Sequence, residues 1–310
     1  MTDERLMTLL STDDRRIPVS SVDEAVSAVL DMPVADARML IRDGRGILFE
    51  GLSAEQARSL QSALEHAGVE VVVLPCGEVP EMVSPTSIRQ LRPGEGVVRV
   101  QLGVNQGLTP LPHERISLIS AGMIGTQTFW SETRDQVLQH LPDLRKLSGR
   151  NLRANLSEVL SECVSVFEEG ERGAKENLLD DLDRLIRRET RWVIDLYCMS
   201  VPVRYRMERD RAWFSHVRAE SEEDMRSDRM FLHVLTDLLL SVEEVAVSPR
   251  TGAFLQDPYR PGLVFDEDRE FDRYNRWFLT MLEQGMQSST SLSTSVNHHF
   301  GDGSESGATS

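Results

Sequence analysis

Between Arg16 and Pro75 the apolar residues change period at short, regular intervals, and this alternation restricts the chain's first segment more than any other feature. Arg16–Val19 reads as a short strand, and Ser21 with Glu24 forms a capping box for the helix that follows. Val22, Ala25, Val26, Val29 and Leu30 recur at helical spacing until Pro33 stops them. Ala37, Leu40 and Ile41 mark a second helix that ends near Gly44. Ile47–Phe49 is strand-like and Gly51 breaks it. Ser53 and Gln56 open a third helix with Ala57, Leu60, Ala63, Leu64 and Ala67 as its buried stripe, and Gly68 closes it. Val69–Leu74 is almost wholly apolar, as a central or well-covered strand would be. One small three-stranded sheet, covered by helices, buries all these stripes. Residues 16–75 are therefore expected to fold as an independent domain.

That order and these residues resemble the C-terminal domain of ribosomal protein L7/L12, in the superfamily that also holds the ClpS adaptor. Two stretches carry the likeness, Phe49–Ala57 at the turn into the third helix and Ala63–Val71 at its end, within a match from Val22 to Leu74. The family binds translation factors through basic residues on its first two helices. Glu24, Ser27 and Ala35 stand at positions where basic residues are expected, and Arg38 alone keeps the charge. Pro33 replaces a glycine of the inter-helix turn. The resemblance thus implies the fold and a partner contact at Arg38, while the lost charges argue against a ribosomal stalk role.

Pro75, Gly77, Pro80, Ser84 and Pro85 form a linker. Beyond it Ile88 and Leu91 precede the turn Pro93–Gly96. Val97–Leu102 and the segment with Ile116, Leu118 and Ile119 then make a β-meander. Gly122–Gly125 lacks the lysine and hydroxyl of a phosphate loop and reads as a turn. From about Ser131 to Glu189 the chain is charged and helical. One apolar face runs through Leu152, Leu156, Val159, Leu160, Cys163 and Phe167, and a second through Leu178, Leu182, Leu185 and Ile186. Strand character resumes at Trp192–Tyr197, Val201–Met207 and Ala212–Val217. Helices follow over about Ser227–Val242 and from Asp266, the last presenting Phe271, Tyr274, Trp277, Phe278 and Met281. The expected organisation is α+β. The first domain spans 16–75; a β-rich domain spans 85–283 with a helical insertion at 131–189; a Ser/Thr/Gly-rich disordered tail spans 287–310. Leu111–Ile116 resembles the strand entry of pleckstrin-homology domains, which implies a barrel closed by the last helix.

The chemistry-bearing residues converge on no motif. Asp180, Asp181 and Asp183 lack the glycine and terminal glutamate of a calcium loop. His298 and His299 have no third ligand, and the acidic residues at Asp266–Glu270 suit a helix N-terminus. Cys76, Cys163 and Cys198 have no metal or disulfide spacing, as expected of reduced thiols in a cytosol. Met1–Arg5 is acidic and gives no secretory signal, and no apolar run reaches the roughly 20 residues of a membrane span. A net charge of −16 argues against a broad nucleic-acid surface. These readings lead to a cytoplasmic, non-enzymatic adaptor. It carries no cofactor or metal and engages a protein partner, with the insertion's apolar faces admitting a homo-oligomer. An enzyme with dispersed catalytic residues is the alternative.

Overall fold

The strand at the centre of the first sheet is Met7–Ser11 (β1), which lies ahead of the segment expected to begin the domain. The computed structural model of the chain describes residues 6–13, 17, 19–43, 46–125, 190–198, 201–217, 227–242, 245–259 and 263–286. They divide into two compact units, one holding the described residues of 1–82 with those from 267 onward, and one holding the described residues of 83–266. The architecture is α+β. The insertion expected at 131–189, the tail at 287–310, and Cys163, Asp180, Asp181, Asp183, His298 and His299 lie outside the described residues.

In the first unit β1 is followed by Val19–Leu30 (α1), Val34–Asp43 (α2), Ile47–Leu52 (β2), Ala54–His66 (α3) and Val71–Pro75 (β3). The sheet is antiparallel in the order β2–β1–β3. Val19, expected at the end of a strand, instead starts α1, which places Ser21 inside the helix. The apolar β3 is an edge strand, and the central position goes to β1 because Thr8, Leu9, Leu10 and Ser11 are all buried. The third helix begins as its sequence requires. The Ser53 hydroxyl accepts from Gln56 N–H while the Gln56 amide oxygen accepts from Ser53 N–H. Leu9, Val22, Val26, Ile41, Phe49, Leu60 and Leu64 share one core between sheet and helices.

The last helix, Asp268–Glu283, numbered α6 in chain order, belongs to this same unit and not to the β-rich segment it follows. Its indole Trp277 Nε1 donates to the Ser11 carbonyl at 2.7 Å, and Arg273 Nη2 donates to the Leu48 carbonyl at 3.1 Å. Arg276 bonds the Pro80 carbonyl at 2.7 Å and the Glu50 carboxylate at 2.6 Å. The aromatic stripe read from the sequence is core, with Phe271, Tyr274, Trp277, Phe278 and Met281 all buried. Between α1 and α2 the left-handed residue is Asp31, at φ 51°, a conformation that a short polar side chain tolerates.

The second unit holds two sheets. Thr86–Ile88 (β4), Leu118–Gly125 (β8), Thr190–Cys198 (β9), Val203–Glu208 (β10), Ala246–Val247 (β11) and Val264–Phe265 (β12) make a mixed six-stranded sheet. Its order is β11–β8–β9–β10–β4, with β12 also pairing β8. Gln90–Arg92 (β5), Val97–Gln101 (β6) and Thr109–Pro112 (β7) make a small antiparallel sheet, the core of the expected meander. Gly122–Gly125 is no turn. It lies in the fully buried β8 and pairs with Thr190–Val193 of β9. Ala212–Val217, expected as a strand, is a turn and bend segment whose Trp213 N–H bonds the Arg89 carbonyl at 2.7 Å. Ser227–Ser241 (α4) and Pro249–Gln256 (α5) supply Phe231, Leu235, Leu238 and Phe254 to a core shared with Trp192, Ile194 and Leu196. Among the described residues no helix is long and apolar enough to cross a membrane.

Candidate functional site

Helix α2 carries the residue singled out by the family resemblance. Arg38 has 61% of its side chain exposed, yet its Nε bonds the carboxylate of Asp23 on α1. That guanidinium holds the Asp23 carboxyl below its ordinary range, against the opposing effect of burial. The cation is therefore committed to an intramolecular partner, although the rest of its side chain faces solvent. Beside it Met39 and Leu40 are 54% and 42% exposed. Leu40 was expected in the buried stripe; the helix instead turns Ala37 and Ile41 inward and leaves Met39 and Leu40 outside. Of the positions that lack the family's basic residues, Glu24 and Ala35 are exposed, and the Ser27 hydroxyl donates to the Met32 carbonyl that follows α1.

Among the described residues of the second unit one cluster of charges is internal. Asp195 on β9 faces Arg206 on β10 in register, with Arg204 two residues away on the same face. Arg206 Nε bonds Asp195 Oδ1 at 2.7 Å, and its Nη2 bonds Oδ2 at 2.9 Å. Arg204 Nε reaches Oδ2 at 2.7 Å, and the Tyr197 hydroxyl donates to the same oxygen at 3.2 Å. Arg204 also lies over the Tyr197 ring, 5.1 Å from its centroid. Asp195 and Arg204 are fully buried, so their desolvation has to be offset by this set of charge-assisted bonds. Asp195 thus accepts hydrogen bonds from Arg204, Arg206 and Tyr197, which occupy both of its carboxylate oxygens. The arrangement fixes strand register and does not resemble a general-base site.

Alternating residues of β9 point the other way into an aromatic core. Trp192 meets Phe231, Phe254 and Tyr259 with ring centroids 5.9, 5.2 and 5.5 Å away. Arg209 lies 5.0 Å from the Trp192 ring and is held by Asp228, which also accepts the Tyr259 hydroxyl at 2.8 Å. Cys198 is buried and its thiol is pushed up to about 11 by desolvation, a poor setting for a nucleophile. Among the described residues no group of three or more His, Cys, Asp and Glu gathers as a metal set.

A second polar locus lies where the segment Ala212–Val217 runs beside β5. Gln90 Nε2 sits 2.9 Å from His216 Nδ1, and Arg89 Nη1 donates to the Arg211 carbonyl at 3.1 Å. An amide NH2 only donates, so Nδ1 accepts and the ring proton belongs on Nε2. Burial lowers the proton affinity of His216, and the nearby Arg92 charge lowers it further. Sequence reading assigned nothing to Arg92, Arg99 or His216; the basic residues on both sides of Pro93–Gly96 were the available signal.

No protein-family model matches this chain, and no curated protein matches it.

Proposed function

We propose that the chain is a non-enzymatic cytosolic adaptor that docks a protein partner on the exposed side of α2. The observation that carries this reading is the pair Met39 and Leu40, two large apolar side chains left in solvent beside Arg38. Isolated exposed apolar residues are ordinary, but two consecutive ones on a short helix form a compact anchor for an apolar partner surface. The element order β-α-α-β-α-β supports placing the first unit in the superfamily of the L7/L12 C-terminal domain and ClpS. Pairing of Arg38 with Asp23 favours a contact led by apolar burial over one led by charge.

The test is a photo-reactive amino acid at position 39 of the full chain, with position 58 on α3 as control. Cells producing the protein are irradiated and adducts identified by mass. A discrete adduct at position 39, absent at 58 and lost on Leu40→Asp, supports the docking surface. Equal labelling at both positions, or an adduct that survives Leu40→Asp, overturns it.

A further inference from the structure

Strands β5 and β6 place Arg92 directly opposite Arg99. Neighbouring Val98 and Val100 are buried, so Arg99 projects from the other, solvent-facing side of the sheet. Like charges directly opposite on adjacent strands destabilise the pairing. An acidic chain has carboxylates to spare, and Glu95 lies in the turn that joins the two strands. Even so, among the described residues neither Arg92 nor Arg99 has a carboxylate within ion-pair distance. The turn also leaves room for the cation. A Cβ added to Gly94 would lie 3.3 Å from Arg99 Nη1, so the guanidinium folds back over the turn.

Two further donors in this region are unused. Arg92 Nε and His216 Nε2 are buried and, among the described residues, have no hydrogen-bond partner. Each is an N–H donor, and buried donors left unmade are costly. The locus therefore combines two cations and an imidazole N–H, in a protein whose overall charge of −16 repels anions from most of its surface.

We propose that Arg92 and Arg99 form a binding site for a phosphate-type dianion on the exposed face of the β5–β6–β7 sheet. Two planar guanidiniums suit a tetrahedral dianion with several acceptor oxygens better than a single carboxylate, which brings one charge to two cations. The site is in the second unit and stands independently of the α2 docking surface.

Binding is measured on the full chain by calorimetry, at fixed ionic strength set with chloride. Inorganic phosphate and phosphoserine serve as separate probes and acetate as the monoanionic control. The expected result is saturable binding of at least one phosphate probe. That binding weakens by about tenfold or more in both Arg92→Gln and Arg99→Gln, and stays unchanged in Arg58→Gln on α3. A preference for inorganic phosphate identifies a free ion as the ligand, and a preference for phosphoserine identifies a phosphomonoester. Arg99→Gln also removes the like-charge pair, so without phosphate its melting temperature should equal or exceed that of the parent, which separates lost binding from lost folding. Arg99→Lys, which keeps the charge and loses the fork, should bind between the two. Absence of saturation above matched chloride, acetate binding as tightly as phosphate, or unchanged affinity in the glutamine variants overturns the proposal.

Discussion

Gly46 shows how a single position joins two distant parts of the sequence. Its φ of +71° is left-handed, and a Cβ there would fall 2.7 Å from Trp277 Cδ2 and 2.8 Å from Trp277 Cβ. Its carbonyl accepts from Ser11 N–H at 2.7 Å, while the Ser11 carbonyl accepts from the Trp277 indole at the same distance. Gly46→Ala thus meets backbone strain of about 1–2 kcal/mol together with a steric clash against a buried ring. We expect a loss of about 2–4 kcal/mol in denaturant unfolding of the full chain. Gly51→Ala, at a similar φ but with open space around it, should cost about 1–2 kcal/mol, the backbone term alone. His216 supplies a prediction of a different kind. Burial, then Arg92, depresses its proton affinity below the ordinary 6.5, whereas the Leu91 backbone and Asp237 pull the other way. The unfolded chain therefore binds the proton more readily. Stability is complete above about pH 6.5 and falls as pH drops from there through the lower folded-state value. Urea unfolding between pH 7.5 and 5 should show this slope in the parent chain and a shallower one in His216→Gln.

Elements differed in how plainly the sequence announced them, and the reasons are physical. Helix α3 was legible because its start rests on a local exchange between Ser53 and Gln56, and its end on Gly68 at φ +79°. The strand β1 was not, since Met7–Ser11 is buried on both faces and shows no alternation of apolar and polar residues. Its last carbonyl, that of Ser11, is met by Trp277 of α6, far along the chain. The apolar run of β3 gave the opposite error. Its Val72 and Val73 are only partly buried at the sheet edge, so hydrophobic content overstated its coverage. Helix α5 escaped notice because Gly252 interrupts Pro249–Gln256 and no charged face frames it. Ala212–Val217 has strand-like residues, yet it binds the β5 edge through isolated contacts at Trp213, Ser215 and His216. At the candidate sites Arg38 was found through the family resemblance alone. The Arg92–Arg99 pair was hidden because strand register, which decides whether two side chains face each other, depends on the turn geometry of Pro93–Gly96.

At the scale of the molecule, the first unit is built from two separate lengths of chain, 1–82 and 267–288. The fragment 16–75 lacks both β1 and α6, so we expect no cooperative thermal transition from it. A permuted chain that joins 267–286 through a Gly/Ser linker to 6–82 restores both, and should melt cooperatively with near-ultraviolet signal from buried Trp277. If 16–75 alone melts cooperatively, β1 and α6 are dispensable additions. Two-part construction of this kind also fixes an order in time. Strands β1 to β3 are synthesised before any residue from Val83 to Asp266. At about 5–20 residues per second, the wait for α6 is on the order of tens of seconds. Until then the side of β1 that Trp277 will cover has no partner, although its neighbours are already present. The unit translated first is thus completed only after Val83–Asp266 have been made, and for that interval we expect its nascent sheet to expose apolar surface that α6 later covers.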